Sequence, residues 1–410
     1  MQKWIKLAKI MQDMATQQKV ETSKRLEKIP PYLFARLDEK KAAAIAKGVD
    51  IINMGIGDPD MPTFSCVIDA MHEAINDPKT HDYPPYTGTL EYRKAVCKWT
   101  SKKFGIQEFD PVTECVSSIG SKEAIHNIFL AYIDPGDYTL VPDPGYPVYN
   151  TGTIFAGGTP YKMPLKEENN FLPDLKAIPA DIAKKSKIMF LNYPNNPTSA
   201  IAPVEFFQEA VDFCKEHNIL LCHDMAYSEI TFDNYQAPSI FNAKGAEEVA
   251  IEFHSFSKSY NMTGWRAGWV LGKADAIQAL SQVKTNVDSG IFKAIQKACL
   301  EALEIDQKTL DQRNAIYDDR RTAIVKGLKE LGCDIEAPKS SMFVWAPIPK
   351  SFTSSSEFCE KLLDECGIVV SPGNAFGDAG EGYFRMALTT DVDRVELAFT
   401  RLKEAGIKFD

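Results

Sequence analysis

The sequence predicts an α/β fold, in which a mostly parallel sheet lies between helices and is joined to a smaller α+β domain. Short apolar runs alternate with helical patterns through the middle of the 410-residue chain, an order typical of βα units. After Gly290 the pattern changes to long helical stretches, followed by a second, shorter set of strands and helices. No Gly/Ser linker or internal repeat is visible, so the predicted domains are interleaved.

The strands and helices follow from apolar periodicity. In the middle region, the predicted strands are 115–119, 138–141, 187–191, 219–222, 250–254 and 268–271, and the predicted helices are 122–132 and 203–217. Long helices are predicted at 292–303 and 309–331. The C-terminal region is expected to contain strands at 342–346, 368–371 and 383–387, with helices at 354–365 and 391–404.

Composition excludes several classes of protein. Hydrophobic residues make up 44% of the chain and charged residues 25%, which is ordinary globular usage and not that of a disordered or collagen-like chain. The formal net charge of −10 has the wrong sign for a surface that binds nucleic acid along its whole length. No run of about 18 apolar residues occurs, so no membrane-spanning helix is predicted.

The cysteines and the N-terminus carry weaker signals. Nine scattered cysteines form no C-x-x-C pair and have no histidine at zinc-finger spacing, so we predict no metal site and a reducing, cytoplasmic location. The first 30 residues show helical apolar spacing without a signal-peptide core, typical of an amphipathic arm on a partner chain or of a frayed terminus. We predict boundaries at 1–59 (arm and part of the small domain), 60–295 (large domain) and 296–410 (interdomain helix and small domain).

Lys258 is the first candidate for chemistry. It lies in "HSFSKSYNMTGWR", directly after a predicted strand, and the carboxyl ends of parallel strands are where α/β proteins bind ligands. A desolvated amine near other cations loses its proton readily, and the neutral amine attacks carbonyl carbons. Lys258 is therefore predicted to form a Schiff base.

The same segment and one upstream turn suggest a phosphate site. Arg266 offers a fork of donors, and Ser255 and Ser257 add hydroxyls. Gly120 and Ser121 lie between a strand and a helix, where free main-chain amides bind anions. Taken singly, each signal has an ordinary alternative, such as a helix N-cap or a solvated surface pair.

Three consecutive strands direct polar residues to one crevice. Asn196 follows one strand, Asp224 and Tyr227 follow the next, and Lys258 follows the third, each about one βα unit apart. A phosphate, a lysine Schiff base, a carboxylate at a ring nitrogen and donors to a ring hydroxyl are what pyridoxal phosphate requires. Tyr146, in "DPGYPVY", is a candidate to stack on the ring, although a proline-flanked aromatic in the core is equally expected.

The motifs "GIGDPD", "DPGYPVY", "NYPNNPT", "DMAYSE", "HSFSKSYNMTGWRAG" and "YFRMAL" occur in the order and at the spacing of one family. By them, nearly the whole chain resembles the aspartate aminotransferase superfamily, the fold-type I enzymes of pyridoxal phosphate. The resemblance implies a seven-stranded sheet and a homodimer with shared active sites. It assigns cofactor contacts to Gly120, Ser121, Lys122, Tyr146, Asn196, Asp224, Tyr227, Ser255, Ser257, Lys258, Arg266 and a partner-chain tyrosine, Tyr83 or Tyr86.

The resemblance also implies catalytic and substrate roles. Lys258 would shuttle a proton between the substrate's Cα and the cofactor, assisted by Asp224 and Tyr227. Arg385 would bind the α-carboxylate, with Asn196 and the Gly57 amide nearby.

Within the superfamily, longer phrases such as "IPPYLFARLDEKKAAAIAKGVDIINMGIGDPDMP" and "NVDSGIFKAIQKA" look like the LL-diaminopimelate aminotransferases. These enzymes pass an amino group from LL-2,6-diaminopimelate to 2-oxoglutarate, giving tetrahydrodipicolinate and glutamate. Tyr32 matches their substrate-loop tyrosine. Asp288 and Ser289 are candidates to contact a distal ammonium group, with a helix N-cap as the alternative. The loop from Tyr83 to Thr89 lacks the glutamate of the plant-type branch.

Other functions stay open at this point. A broader-range aminotransferase acting on alanine, aspartate or aromatic amino acids would carry the same motifs, as would a carbon–sulfur lyase. A silent ligand-sensing module is the alternative outside enzymes, but the 60 residues ahead of "GIGDPD" show no convincing helix-turn-helix.

Overall fold

The structure is a computed structural model that describes residues 21–29 and 33–409. Tyr32 and most of the predicted N-terminal arm lie outside the described residues. Within the part of the chain that is described, no helix has both the length and the apolar character needed to cross a bilayer.

Twelve strands are present in the described ranges, and they form three sheets. They are β1 (Ile52–Asn53), β2 (Cys115–Ser118), β3 (Tyr138–Asp143), β4 (Thr159–Pro164), β5 (Ser186–Asn192), β6 (Leu220–Asp224), β7 (Ala250–Ser255), β8 (Gly268–Gly272), β9 (Phe343–Pro347), β10 (Ile368–Val369), β11 (Ser371–Pro372) and β12 (Tyr383–Ala387).

The large sheet has seven strands in the order β2-β8-β7-β6-β5-β3-β4. Strand β8 runs antiparallel to β2 and β7, and the remaining pairs are parallel. The predicted mostly parallel, seven-stranded sheet is therefore confirmed.

Some helices of the described residues cover both faces of this sheet, and others belong to the C-terminal region or join the two. The helices are α1 (Lys24–Glu27), α2 (Leu33–Ala46), α3 (Ser65–Asn76), α4 (Leu90–Phe104), α5 (Ser121–Tyr132), α6 (Val148–Ala156), α7 (Ala180–Lys185), α8 (Val204–His217), α9 (Phe256–Ser259), α10 (Ala274–Val287), α11 (Lys293–Leu303), α12 (Gln307–Glu330), α13 (Ser355–Cys366) and α14 (Val392–Glu404).

Alternating side chains of the central strands pack into different cores. In β5, Ile188 and Phe190 belong to the core under α5, α6 and α10, whereas Met189 and Leu191 belong to the core under α8. Because successive strand residues point to opposite faces, a strand with helices on both sides is apolar throughout. This is why the middle strands could be recognised as short continuous apolar runs.

A second core lies beneath the C-terminal sheets. Strands β11, β12 and β9 form an antiparallel sheet that packs with α12, α13 and α14. Strand β1 pairs with β10 in parallel, Ile52 opposite Ile368, so the segment before residue 60 joins this unit. The domain boundaries at residues 59 and 295 stay predictions.

Helices α2, α3, α4, α6, α7 and α10 and strand β1 were not predicted, and two further elements differ from expectation for physical reasons. The predicted strand 368–371 is divided, because Ile368–Val369 pairs with β1 and Ser371–Pro372 pairs with β12 in another sheet. Strand β4 was not predicted. It carries Pro160 and Pro164 and lies at the edge of the sheet. Proline has no N–H to donate, and at an edge this costs no hydrogen bond between strands.

Candidate active site

The carboxyl ends of β5, β6 and β7 open into a cavity of about 460 Å³ that is closed on its other side by the C-terminal sheet. Twelve of the predicted site residues line it. They are Gly57, Ser121, Lys122, Tyr146, Asn196, Asp224, Tyr227, Ser255, Ser257, Lys258, Arg266 and Arg385.

Lys258 lies on the short helix α9, which directly follows β7. Its Nζ donates to the main-chain carbonyl of Gly57 at 2.8 Å and lies 3.8 Å from Asp58 Oδ1. Burial lowers the Lys258 pKa to about 8, Arg385 and Arg266 act in the same direction, and Asp58 opposes them. A substantial neutral fraction of this amine is therefore present near pH 8, as a carbonyl nucleophile requires.

Asp224 ends β6 and is 4% exposed. Tyr149 donates its hydroxyl to Oδ2 at 2.8 Å, whereas no group of the described residues donates to the buried Oδ1. Burial raises the Asp224 pKa to about 6, and the Tyr149 hydrogen bond limits the rise. An unpartnered buried carboxylate oxygen costs about 1–3 kcal/mol or more, so Oδ1 is suited to meet a protonated donor on a bound group.

Arg385, on β12, reaches the same cavity from the opposite wall. Its Nη1 donates to Asn196 Oδ1 at 2.7 Å and its Nη2 to the Gly55 carbonyl at 2.9 Å. The Asn196 amide is shared, since its Nδ2 donates to the Tyr227 hydroxyl at 3.4 Å. These contacts connect the predicted carboxylate-binding arginine to the predicted ring-hydroxyl donors.

Two phenylalanines hold the Arg385 guanidinium between their rings. The guanidinium carbon lies 4.0 Å from the ring centroid of Phe343 and 4.6 Å from that of Phe376. Stacked aromatic faces stabilise a weakly hydrated planar cation and fix its orientation.

The anion-binding end combines Arg266 with the turn before α5. Gly120 has φ of 70°, and a Cβ built on it would lie 2.4 Å from Arg266 Nη2. Glycine is therefore required for the guanidinium to approach the helix N-terminus at Ser121. Ser255 and Ser257 line the same end of the cavity.

Tyr146 lines the cavity next to these groups. Its ring lies under the Lys122 ammonium, 5.8 Å from Nζ to the ring centroid, and is nearly perpendicular to the Tyr149 ring. This placement brings the predicted stacking aromatic into the same cavity as Asp224 and Lys258.

Other predicted residues do not line this cavity. Tyr83 is 84% exposed and Tyr86 48% exposed, and Ser289 is exposed as well. Both carboxylate oxygens of Asp288 accept from the buried Lys284 Nζ at 2.9 Å, and the expected contact of Asp288 and Ser289 with a distal ammonium group stays a prediction. The Oδ1 of Asp288 also accepts from the Gly290 amide, so Asp288 stabilises the connection between α10 and α11.

Several contacts in the site were not predicted from the sequence. Tyr149 lies within the quoted "DPGYPVY" motif, so its neighbours offered a signal. Asn192, whose Nδ2 donates to the Asp224 carbonyl at 2.8 Å, directly follows the predicted strand 187–191, and this position offered a signal too. The sequence contains no signal for Phe343 and Phe376, because their contact with Arg385 depends on packing between segments that are distant in the chain.

The residues present fit pyridoxal phosphate. Asp224 Oδ1 would hold the proton of the ring nitrogen, Asn196 and Tyr227 the ring oxygen, and Arg266 with the α5 N-terminus the phosphate. Lys258 would provide the amine that binds the carbonyl group.

Comparisons with known proteins agree with this fit. The model of the family described as aminotransferase class I and II matches residues 49–402. An LL-diaminopimelate aminotransferase from Gloeobacter violaceus is 58% identical over 391 residues, covering 95% of this chain and 100% of that protein. The Moorella thermoacetica protein of the same name is 52% identical over 384 residues, covering 94% and 98%. The substrate-bound BacF structure from Bacillus subtilis has a TM-score of 0.91 at 36% identity, covering 95% of this chain and 99% of that chain.

The Lys258 environment predicts a measurable titration. In the full-length protein freed of cofactor, Lys258 should react with an amine-directed reagent with a half-maximal rate near pH 8, because the neutral amine is the reactive form. Peptide mass spectrometry across a pH series measures this. Asp58→Asn removes the opposing carboxylate and should lower the midpoint further. A midpoint at the ordinary lysine value of about 10.4 would contradict the assigned environment.

Proposed function

The chain belongs to the class I and II aminotransferases, and from this premise we propose that it transfers an amino group from LL-2,6-diaminopimelate to 2-oxoglutarate. Enzymes of this class use pyridoxal phosphate and act on small amino and oxo acids. The cavity that joins Lys258, Asp224 Oδ1 and Arg385 carries the aminotransferase part of the proposal. High identity over the whole length of diaminopimelate aminotransferases supports the choice of substrate. The products would be tetrahydrodipicolinate and glutamate.

Each residue has a separate task. Bound pyridoxal phosphate supplies an electron sink for the substrate's Cα. Asp224 keeps a proton on the ring nitrogen, which requires its carboxylate to be ionised. Lys258, whose pKa is lowered to about 8, takes the proton from Cα. The nearby carbonyl of Gly57, at 2.8 Å, orients the Lys258 amine.

The substrate's α-carboxylate would meet Arg385. Its guanidinium is planar, oriented by two aromatic rings and 4% exposed, so a carboxylate that enters the cavity finds a desolvated two-point partner. The proposed role is to place Cα beside Lys258.

Arg385→Lys tests this placement. An ammonium cannot reproduce the two-point fork, so KM should rise about tenfold or more for every amino donor. Steady-state kinetics with LL-diaminopimelate and with glutamate in the reverse direction measure this. A loss confined to one donor would instead place Arg385 at the distal end of the substrate.

The proposal also includes a homodimer with shared active sites, located in the cytoplasm. Tyr83 and Tyr86 are exposed on a loop outside this chain's own cavity, as expected of residues that serve a partner. All nine cysteines are free, and eight are buried, which is consistent with a reducing compartment.

Subunit mixing tests the shared site. Lys258→Ala and Tyr83→Ala proteins should each be nearly inactive, but unfolding and refolding them together should restore roughly a quarter of the sites, because one site of each hybrid dimer is intact. In the control mixture, Tyr86→Ala replaces Tyr83→Ala as the partner of Lys258→Ala. Recovery with Tyr86→Ala alone would move the role to Tyr86, and recovery with neither would contradict sharing.

The substrate is tested by a coupled assay of purified protein with 2-oxoglutarate, in which 2-aminobenzaldehyde traps tetrahydrodipicolinate. We expect kcat/KM for LL-diaminopimelate to exceed that for the meso isomer, aspartate and alanine by about tenfold or more. Comparable rates with aspartate or alanine would indicate a broader-range aminotransferase. Release of pyruvate from cystathionine would indicate a lyase.

A further inference from the structure

Arg313 is a buried arginine that does not line the cavity. It contacts the main chain at Lys258 and in the turn after Tyr227, two residues that do line it. It lies on α12 and is 4% exposed. Its Nη1 donates to the carbonyls of Ser259 at 2.9 Å and Lys258 at 3.2 Å, and its Nη2 to the carbonyl of Glu229 at 2.8 Å. One planar guanidinium thus bridges the end of α9 and the turn that follows Tyr227.

The end of α9 needs an external donor. Helix α9 spans four residues, Phe256–Ser259, and the last carbonyls of a helix have no partner within it. The positive guanidinium at this C-terminus also matches the negative end of the helix dipole. Arg313 therefore stabilises the α9 turn that carries Lys258 by bonding to its main chain.

The guanidinium is itself fixed. Its Nε donates to Asn314 Oδ1 at 2.9 Å, and Asn314 Nδ2 donates to the same Glu229 carbonyl at 2.9 Å. All three nitrogens of Arg313 donate, which is the condition under which a buried arginine is tolerated. The ring centroid of Tyr317, one turn along α12, lies 5.9 Å from the guanidinium carbon.

We propose that Arg313 is a positioning residue that fixes Lys258 relative to Tyr227 during amino transfer. The two side chains come from different loops, after β7 and after β6, and the fork of Arg313 joins those loops through their main chains. A small displacement of a reacting group lowers a rate strongly, by about 100-fold per Å. Arg313→Lys keeps the charge but not the planar fork of donors, so we expect it not to preserve the positioning of Lys258.

The test compares Arg313→Lys and Arg313→Gln with the wild-type protein. We expect kcat to fall about 10–100-fold while KM for the amino donor changes much less, because the substrate contacts of Arg385 are intact. The pH dependence of the bound cofactor's absorbance should shift as well. In the cofactor-free, full-length protein, the midpoint of Lys258 modification should rise above about 8, since a released turn is better solvated.

The kcat measurement rests on the proposed function, but the modification of Lys258 does not. If both Arg313 variants shift the Lys258 midpoint while the wild-type protein lacks transaminase activity, the proposed function fails and the positioning role stands.

Arg321→Lys is the matched control. Arg321 is a buried arginine on the same helix, and it donates to Asp233 and to the Pro338 carbonyl, away from Lys258. It should lower thermal stability to a similar extent but leave kcat and the Lys258 midpoint near wild type.

If the Arg313 variants do not fold, Asn314→Ala removes the acceptor of Nε and one bond to Glu229, and it should shift the same readouts by less. Lower thermal stability without any change in kcat/KM or in the Lys258 profile would overturn the proposal.

Discussion

The parallel register of β5, β6 and β7 is the constraint on which the site depends. Asn192 lies opposite Asp224 in the β5–β6 pair, and Asp224 lies opposite Phe253 in the β6–β7 pair, so β5 and β6 end level and β7 runs two residues further, to Ser255. A slip of one residue would turn every side chain of a strand to the other face. The apolar side chains buried on both faces oppose that slip, so the packing of the two cores fixes where Asp224 and Lys258 stand.

This register brings several ionisable groups together in one buried site. The pKa values of Lys258 and Asp224 move toward neutrality because burial disfavours the charged form of each. Arg385 stays charged, and it is stabilised by aromatic faces and by acceptors on the opposite wall. A cavity lined by more cations than carboxylates suits a ligand that is mostly anionic but carries a protonated ring nitrogen. The electrostatics of these residues therefore match the cofactor implied by the family.

The sequence revealed the strands and the groups that follow them, because apolar runs and strand-end motifs are local signals. It did not reveal the bond from Tyr149 to Asp224, which depends on how α6 packs against β6. It also did not show that Arg385 lies between two rings from different elements. The ion pair of Asp288 with Lys284 could have been predicted, since Lys284 stands four residues earlier and i,i+4 charge pairs meet on a helix. The polar, charge-rich sequence of α12 looks like a solvated face, and this hid its buried arginines.

Helix α12 ties the loops of the large sheet to the C-terminal sheets through directional bonds. Besides Arg313, Arg320 donates to both oxygens of Asp60 and to the Leu388 carbonyl, which follows β12. A fork of donors specifies position and orientation, whereas apolar contact alone tolerates sliding. Because α12 contacts both the turn after β7 and the end of β12, it links the element that carries Lys258 to the element that carries Arg385. The amine proposed to transfer the proton and the guanidinium proposed to bind the carboxylate are thus both positioned with respect to α12.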